Sequence, residues 1–134
     1  MEFNASHRWA PMSPRKARLV IDMVRGLPVN DALEVLRTTH RRAGPMIQKV
    51  IKSAVANAEQ QKALGAGDLF IKVARIDDGG LLNGRLRWRS GPMGRMRPIR
   101  RKTSHIHIIL GVFDEGAKPS RRRKAAAAKA EAKG

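Results

Sequence analysis

The sequence predicts an α+β fold in which three helices cover one face of a small, three-stranded antiparallel sheet. Two patterns support this prediction: apolar residues recur at helical spacing in the first half of the chain, and two strand-like apolar runs follow in the second half. A third observation is the arginine-rich segment between those runs, which predicts a long protruding β-hairpin. At 134 residues we expect one domain over residues 1–117, with the hairpin extension at about 79–102, followed by a basic tail at 118–134.

The first helix is predicted from signals at its two ends. Ser13 is a candidate N-cap, Pro14 suits the first helical position, and Gly26 can adopt the left-handed conformation that ends a helix after Arg25. The apolar positions of one face are Ala17, Val20, Ile21 and Val24, and the other faces carry Arg15, Lys16, Arg18 and Arg25. This helix is therefore expected to be amphipathic and cationic.

Two further helices are predicted before the strands begin. The second has Asn30 as its N-cap and runs from Asp31 to Arg37, with predicted buried positions Ala32, Leu33, Val35 and Leu36. The third begins at Met46, where apolar residues repeat at spacings of three and four, and it ends near the glycines of ALGAGD. Its predicted core positions are Ile47, Val50, Ile51, Ala54, Val55 and Ala58.

Two apolar runs predict the main strands of the sheet. LFIKVARI follows Asp68, and HIHIILGVF occupies residues 105–113; both are rich in β-branched and aromatic residues. We expect them to pair antiparallel and to be covered by the helices on one face. The N-terminal stretch EFNASHRWA is a candidate edge strand.

The segment at 77–103 is predicted to run out from the sheet and back. With about 12 residues in each arm and roughly 3.3 Å per residue, an extended arm reaches about 40 Å, whereas a domain of this size has a radius of gyration near 13 Å. It carries eight cations and no carboxylate between residues 85 and 102. Because a two-stranded ribbon is marginal in water and like charges weaken it further, we expect it to need a partner. Alternation would place Arg85, Arg87 and Arg89 on one side and Trp88, which can stack a base, on the other.

The charge of the whole chain indicates the class of partner. Lys and Arg number 28 against 11 Asp and Glu, a formal net charge of +17, which attracts polyanions. The tail at 118–134 has no bulky apolar residue, so we expect it to be disordered until it meets phosphates. Structured RNA is favoured over DNA because no helix offers an obvious base-reading face. A solvated, mobile basic loop remains the simpler alternative for the arginine segment.

Other classes of function find little support in the residues. The chain has no cysteine, no run of roughly 18 to 20 apolar residues and no secretory signal, so a cytoplasmic protein without a membrane segment is expected. His105 and His107 share a strand face but lack further ligands for a metal, and Ser104 points away from its neighbour His105. Asp77 and Asp78 precede two glycines and are interpreted as the start of the turn at the hairpin base. We expect no catalytic residue, metal or cofactor.

Four segments in order resemble a known family. SPRKARLVIDMVRG at 13–26, VNDALEVL, KVIKSAVANAEQ at 49–60 and RRKTSHIHIIL at 100–110 are similar to the bacterial form of the large-subunit ribosomal protein family numbered twenty-two, over about residues 5–113. The resemblance implies three helices on a three-stranded sheet, binding to large-subunit ribosomal RNA, support of subunit assembly, and a hairpin that lines the polypeptide exit tunnel.

The resemblance, together with the charge pattern, assigns candidate RNA-binding residues. On the body these are Ser13, Arg15, Lys16, Arg18, Asn57, Thr103, Ser104 and His105. On the hairpin they are Arg85, Arg87, Trp88, Arg89, Arg97, Arg100, Arg101 and Lys102. The tunnel tip would comprise Gly91, Pro92, Met93, Gly94 and Arg95. The chain departs from the family here, since Ser90, Gly91 and Pro92 replace a usual Pro-Arg-Ala and Met93 replaces a commonly basic residue.

The implied partners are large-subunit ribosomal RNA, neighbouring large-subunit proteins and the nascent polypeptide in the tunnel. Tunnel-binding antibiotics would be the relevant small molecules, no small-molecule substrate is expected, and the protein would be monomeric within a cytoplasmic ribosome. The alternative function is a stand-alone basic protein that binds and compacts DNA.

Overall fold

A computed structural model describes residues 1–62 and 64–113 of the chain. The elements in order are β1 (Glu2–Ala10), α1 (Pro14–Ile21), α2 (Val29–Thr38), α3 (Ala43–Lys62), β2 (Leu69–Leu81), β3 (Arg87–Ser90), β4 (Met96–Ile99) and β5 (Lys102–Val112). Strands β1, β5 and β2 form an antiparallel sheet in that order, and β3 pairs with β4 in a separate ribbon. The predicted α+β fold is confirmed, with the N-terminal strand at an edge. The tail prediction for 118–134 and the domain end at 117 lie outside the described residues.

The core lies between the three helices and one face of the sheet. The central strand β5 alternates, so that Ile106, Ile108 and Leu110 are buried while His105 and His107 lie on the opposite face. All six predicted core positions of α3 are buried, which confirms the helical periodicity. The helices therefore cover one face of the sheet, as predicted.

Helix α1 ends earlier than its sequence signals predict. The helix stops at Ile21, although Gly26 does take the expected left-handed conformation, with φ of 75°. The intervening residues form tight turns that bring the chain beside β2, where Gly26 N–H donates to Ile71 O at 3.2 Å and Ile71 N–H donates to Leu27 O at 3.0 Å. These backbone bonds to a strand far along the chain replace the last helical turn.

The starts of the other two helices also differ from prediction. Helix α2 begins at Val29 after Pro28, so Asn30 lies inside the helix and is not the N-cap. Helix α3 begins at Ala43 rather than Met46, because Pro45 falls in its first turn, where the missing N–H has no helical partner to lose. In α2, Ala32 and Leu36 are buried, whereas Leu33 and Val35 are only half-buried.

Side chains from α1 and the turn after it cover the free edge of β2. Arg18 donates from Nε and Nη2 to Ile76 O at 3.2 and 3.1 Å, and its Nη2 lies 2.6 Å from Asp78 Oδ1. Arg25 donates in the same way to Ala74 O, at 3.2 and 2.9 Å. The unpaired edge of a sheet can associate with strands of other chains. The bonds from Arg18 and Arg25 use carbonyl groups on the free edge of β2 and so protect it.

Two bulges face each other across β5 where the hairpin leaves the body. The β1 register shifts between His7 and Ala10, and the β2 register shifts between Asp78 and Leu81. In the β2 bulge, a Cβ on Gly79 would overlap Thr103 Oγ1 and lie 2.9 Å from the Thr103 carbonyl, so only glycine fits. Bulges bend strands and increase their twist, and beyond these two the chain leaves the three-stranded sheet and forms the separate ribbon of β3 and β4.

The hairpin is an interrupted ribbon rather than two continuous extended arms. β3 and β4 pair through only four positions, from Arg87 opposite Ile99 to Ser90 opposite Met96. Below this ladder, Asn83 and Gly84 both have positive φ, at 57° and 69°, which breaks the outgoing strand. The prediction of about 12 extended residues per arm is therefore wrong, because two consecutive left-handed residues cannot continue a strand.

The tip closes with a turn that needs two left-handed residues. Met93 and Gly94 have φ of 57° and 72°, and Arg95 N–H donates to Pro92 O at 3.3 Å. This is the arrangement of a type I′ turn, which matches the twist of a hairpin. Met93 is 94% exposed and lies in a conformation that favours glycine and asparagine.

Candidate nucleic-acid interface

The ribbon of β3 and β4 presents two chemically different faces. Residues directly opposite one another share a face, so one side carries Arg87, Arg89, Arg97 and Ile99, and the other carries Trp88, Ser90, Met96 and Pro98. The predicted separation of guanidinium groups from Trp88 is confirmed. No residue of β3 or β4 is buried, and the two strands pack on each other rather than on the body.

The hairpin cations have no acidic partners within the protein as described. Over residues 1–62 and 64–113, none of the eight basic side chains between 85 and 102 forms an ion pair. Arg89 and Arg97 lie directly opposite each other, which weakens a strand pair. The positive charge is therefore left to attract an external anion.

A cationic cleft of about 600 Å³ lies at the root of the hairpin. Its polar lining includes Lys16 from α1, Arg42 from the loop before α3, and residues from the hairpin root. The full lining is Pro11, Met12, Ser13, Lys16, Arg42, Leu82, Arg87, Arg100, Arg101 and Lys102. Six cations and no carboxylate thus surround one cleft, and Arg and Lys are the residues that bind phosphate groups.

Arg42 is the one cation of this cleft that was not predicted from the sequence as RNA-binding. It lies in the basic segment HRR that joins α2 to α3, outside the arginine-rich hairpin. The signal was the pair of adjacent arginines, but its position beside the hairpin root depends on how α3 packs. The fold brings Arg42 together with Lys16 and the hairpin cations across large separations in sequence.

Two candidate RNA-binding residues of the body bind other parts of the protein. Arg18 joins α1 to β2 through Ile76 O and Asp78. Asn57 donates from Nδ2 to Asn4 O at 3.0 Å, which attaches α3 to β1. Arg15, also on α1, is exposed and forms no ion pair among the described residues.

The TSH segment faces inward more than outward. Thr103 and Ser104 are 2% and 0% exposed, and Thr103 Oγ1 donates to Gly80 O at 2.9 Å. Ser104 Oγ is buried without a hydrogen-bond partner among the described residues. His105 is half-buried, and its Nδ1 accepts a hydrogen bond from Trp9 N–H at 3.0 Å. These side chains shape the root of the hairpin, and their contact with RNA stays a prediction.

The paired aspartates lie in a strand rather than at the start of a turn. Asp77 and Asp78 both belong to β2 and lie at the hairpin base, as interpreted, but they do not start a turn there. Asp78 pairs with Arg18, and Asp77 Oδ2 lies 3.5 Å from Arg75 Nε and 3.6 Å from His107 Nε2. The glycines after them form a bulge within β2, which continues to Leu81.

The described part of the chain offers neither a cluster of metal ligands nor a membrane-spanning helix. Residues 1–62 and 64–113 contain no group of three or more histidine or acidic side chains placed to hold a metal ion. Among the helices of the same residues, none combines the length and the apolar character needed to cross a bilayer.

Comparison with known proteins gives a consistent match over the described fold. A family model described as ribosomal protein L22p/L17e matches residues 5–111. The large ribosomal subunit protein uL22 of Syntrophobacter fumaroxidans is 46% identical over 110 residues, covering 82% of this chain and 97% of that protein. The protein of the same name from Halothermothrix orenii is 40% identical over 116 residues, covering 87% of this chain and all of that protein.

Proposed function

Because this chain belongs to the ribosomal protein L22p/L17e family, and so is a structural protein of the large ribosomal subunit rather than an enzyme, we propose that it binds large-subunit ribosomal RNA. Membership of this family also gives the location of the protein, which is the cytoplasmic ribosome. Membership of a ribosomal family argues against the alternative of a stand-alone DNA-compacting protein.

The observation that carries this proposal is the unpaired positive charge of the hairpin and the cleft at its root. A free hairpin with eight cations between residues 85 and 102 repels itself, and the four-pair ladder of its ribbon buries no core. Binding to RNA phosphates would neutralise the repelling charges and release the counterions condensed on the RNA. It would thereby order the ribbon. Binding to a polyanion therefore supplies the free energy that the isolated hairpin lacks.

Within this proposal the residues divide by role. Lys16, Arg42 and the hairpin cations that line the cleft would bind phosphates, and Arg15 would extend the contact with RNA along α1. On the ribbon, the arginine face would follow the RNA backbone and Trp88 would stack on a base. Arg18, Asn57, Thr103 and Ser104 would act by holding the surface in shape, in keeping with their contacts inside the protein.

The tip at residues 91–95 is proposed to line the polypeptide exit tunnel and to meet the nascent chain. It lies at the end of the ribbon. Its exposed Met93 side chain is apolar and uncharged, so a passing peptide would contact it without forming an ion pair. Neighbouring large-subunit proteins would contact the body of this monomer, which would support assembly. Tunnel-binding antibiotics would act near the same tip.

The test of RNA binding is the salt dependence of affinity for large-subunit ribosomal RNA. Replacing Arg42, Arg100 and Arg101 together by Gln should weaken binding and reduce the slope of log K against log salt by roughly 0.7 to 0.9 for each phosphate that is no longer neutralised. A matched control replaces three exposed cations that do not line the cleft, namely Arg37, Lys49 and Lys52. Equal slopes for the two triple variants would contradict the assignment of the cleft.

The tunnel assignment needs a separate test on ribosomes. Replacing residues 91–95 by a two-residue Asn-Gly turn should leave incorporation into large subunits intact, because the four-pair ladder and the cationic cleft remain. We expect altered nascent-chain stalling or altered sensitivity to tunnel-binding antibiotics. Unchanged stalling and unchanged drug response in fully assembled ribosomes would refute a tunnel-wall role.

A further inference from the structure

Trp9 is an exposed aromatic residue held in an unfavourable backbone conformation. Its φ is 59°, in the left-handed region that bulky residues rarely occupy, and 60% of the residue is exposed. It lies in the β1 bulge between His7 and Ala10. Residues in such conformations concentrate at functional sites, where the surrounding structure enforces them.

Contacts with His105 fix the position of the indole ring. Trp9 N–H donates to His105 Nδ1 at 3.0 Å, and the two rings meet edge to face, with centroids 4.8 Å apart and planes at 84°. This arrangement is a favourable one for aromatic pairs. The backbone bond and the ring contact together hold the indole in one orientation while most of the residue remains open to solvent.

The indole forms one wall of a cleft of about 410 Å³ between the two bulges. The other lining residues are Gly80, Leu81, Leu82, Asn83, Gly84 and Thr103, so the lining carries no charged side chain. Gly80 leaves room beside the indole, whose nearest ring carbon would lie 3.7 Å from a Cβ at that position. The cleft therefore suits a flat and largely apolar group.

This cleft adjoins the cationic cleft described above, because Leu82 lines both. An RNA strand whose phosphates occupy the cationic cleft would bring a nucleoside within reach of Trp9. Stacking on an aromatic side chain suits an unpaired base in single-stranded or looped RNA. A protein partner would gain from the indole but not from the six neighbouring cations unless it were strongly acidic.

We propose that Trp9 is a stacking platform for an unpaired base of the RNA strand whose phosphates lie in the cationic cleft. This rests on the proposed function and adds a specific site to it, at the root of the hairpin rather than on the ribbon. Stacking neutralises no phosphate, so Trp9 sets affinity without changing its salt dependence.

The experiment uses the full-length chain with Trp88→Phe, which leaves Trp9 as the sole tryptophan of the two in the sequence. Titration with large-subunit ribosomal RNA should quench the fluorescence of Trp9, since a stacked base contacts the indole directly. Adding Trp9→Leu to this background should weaken RNA binding by roughly 5- to 150-fold with an unchanged salt slope. Trp9→Phe should retain most of the affinity, because a smaller aromatic ring still stacks.

The outcomes separate the two proposals. Tight RNA binding without quenching of Trp9, and with Trp9→Leu at parental affinity, overturns the stacking site and leaves the proposed function standing. Quenching that occurs only when large-subunit proteins are added overturns it in favour of a protein contact. Absence of any RNA binding by the parent overturns both. The quenching measurement keeps Trp9 in place, so it decides the question even if Trp9→Leu does not fold.

Discussion

Replacing Arg18 by Gln tests whether this residue anchors the fold or serves only as a cation on the surface. Its guanidinium donates two hydrogen bonds to Ile76 O, at 3.2 and 3.1 Å, and pairs with Asp78 at 2.6 Å. Glutamine is shorter and neutral, so it loses the ion pair and the two-pronged bond. The free edge of β2 is then left without one of its covering side chains.

The magnitude follows from the exposure of these groups. Hydrogen bonds to charged groups contribute roughly 1.5–3 kcal/mol, but the Arg18 side chain is 50% exposed, so about 1 kcal/mol is expected for the carbonyl bonds. The ion pair, whose carboxylate is 61% exposed, adds about 0.2–1 kcal/mol. Arg18→Gln should therefore lower the free energy of unfolding by about 1–2 kcal/mol. With an unfolding entropy of about 2.1 cal/mol/K per residue over roughly 110 residues, this lowers Tm by roughly 4–9 °C.

The assay is thermal unfolding of the full-length variants followed by circular dichroism, at low and high salt. Arg15→Gln is the matched control, since Arg15 lies on the same helix, is exposed and forms no ion pair among the described residues. Asp78→Asn removes only the ion pair, so its smaller effect should fade with salt while most of the Arg18→Gln effect persists. Equal Tm values for Arg18→Gln and Arg15→Gln would refute the anchoring role.

Two further changes test other parts of the sheet. Gly79→Ala should lower the free energy of unfolding by about 1–3 kcal/mol, because its Cβ meets the backbone of Thr103, whereas Gly67→Ala, with open space around it, should be neutral or slightly stabilising in the same urea titration. A hydrogen bond from Lys72, and then the charge of that residue, lower the pKa of Glu2 below 4.5, so the pair stabilises the fold above about pH 4.5 and this contribution is lost as pH falls through the lowered pKa. The Tm of Glu2→Gln should thus be below that of the parent at neutral pH and converge with it in acid; a constant difference at all pH values would argue against the pair.

Helical periodicity and charge were readable from the chain because they depend on neighbouring residues. The repeat in α3 specifies a buried face whatever the helix packs on, and all six predicted core positions are buried. The exact starts of α2 and α3 were less accessible, since Pro28 and Pro45 allow helices to begin before the residues that carry the clearest signals. The two-faced ribbon followed from alternation alone.

The candidate site was predictable in charge but not in shape. The hairpin cations were identified from their density in the sequence, whereas Arg42 joined them only because the packing of α3 brings its loop to the hairpin root. Arg18 and Asn57 matched family motifs, yet the side chains of both bind within the protein. Whether a side chain faces solvent or binds a carbonyl far away in sequence depends on tertiary geometry. No local sequence pattern specifies that geometry.

Short-range patterns and composition were enough to specify the three helices, the strands that follow them, the cationic hairpin and the membership of a ribosomal family. The folded arrangement was needed to establish where α1 stops, how the hairpin is interrupted, and how Trp9 comes to face an open cleft beside the cations. These features arise where the edge of β2 and the two bulges meet β5, and they require contacts between residues far apart in sequence, such as Trp9 and His105, which are 96 positions apart. Such contacts form only when the chain folds, so these features depend on tertiary packing and cannot be predicted from any one segment.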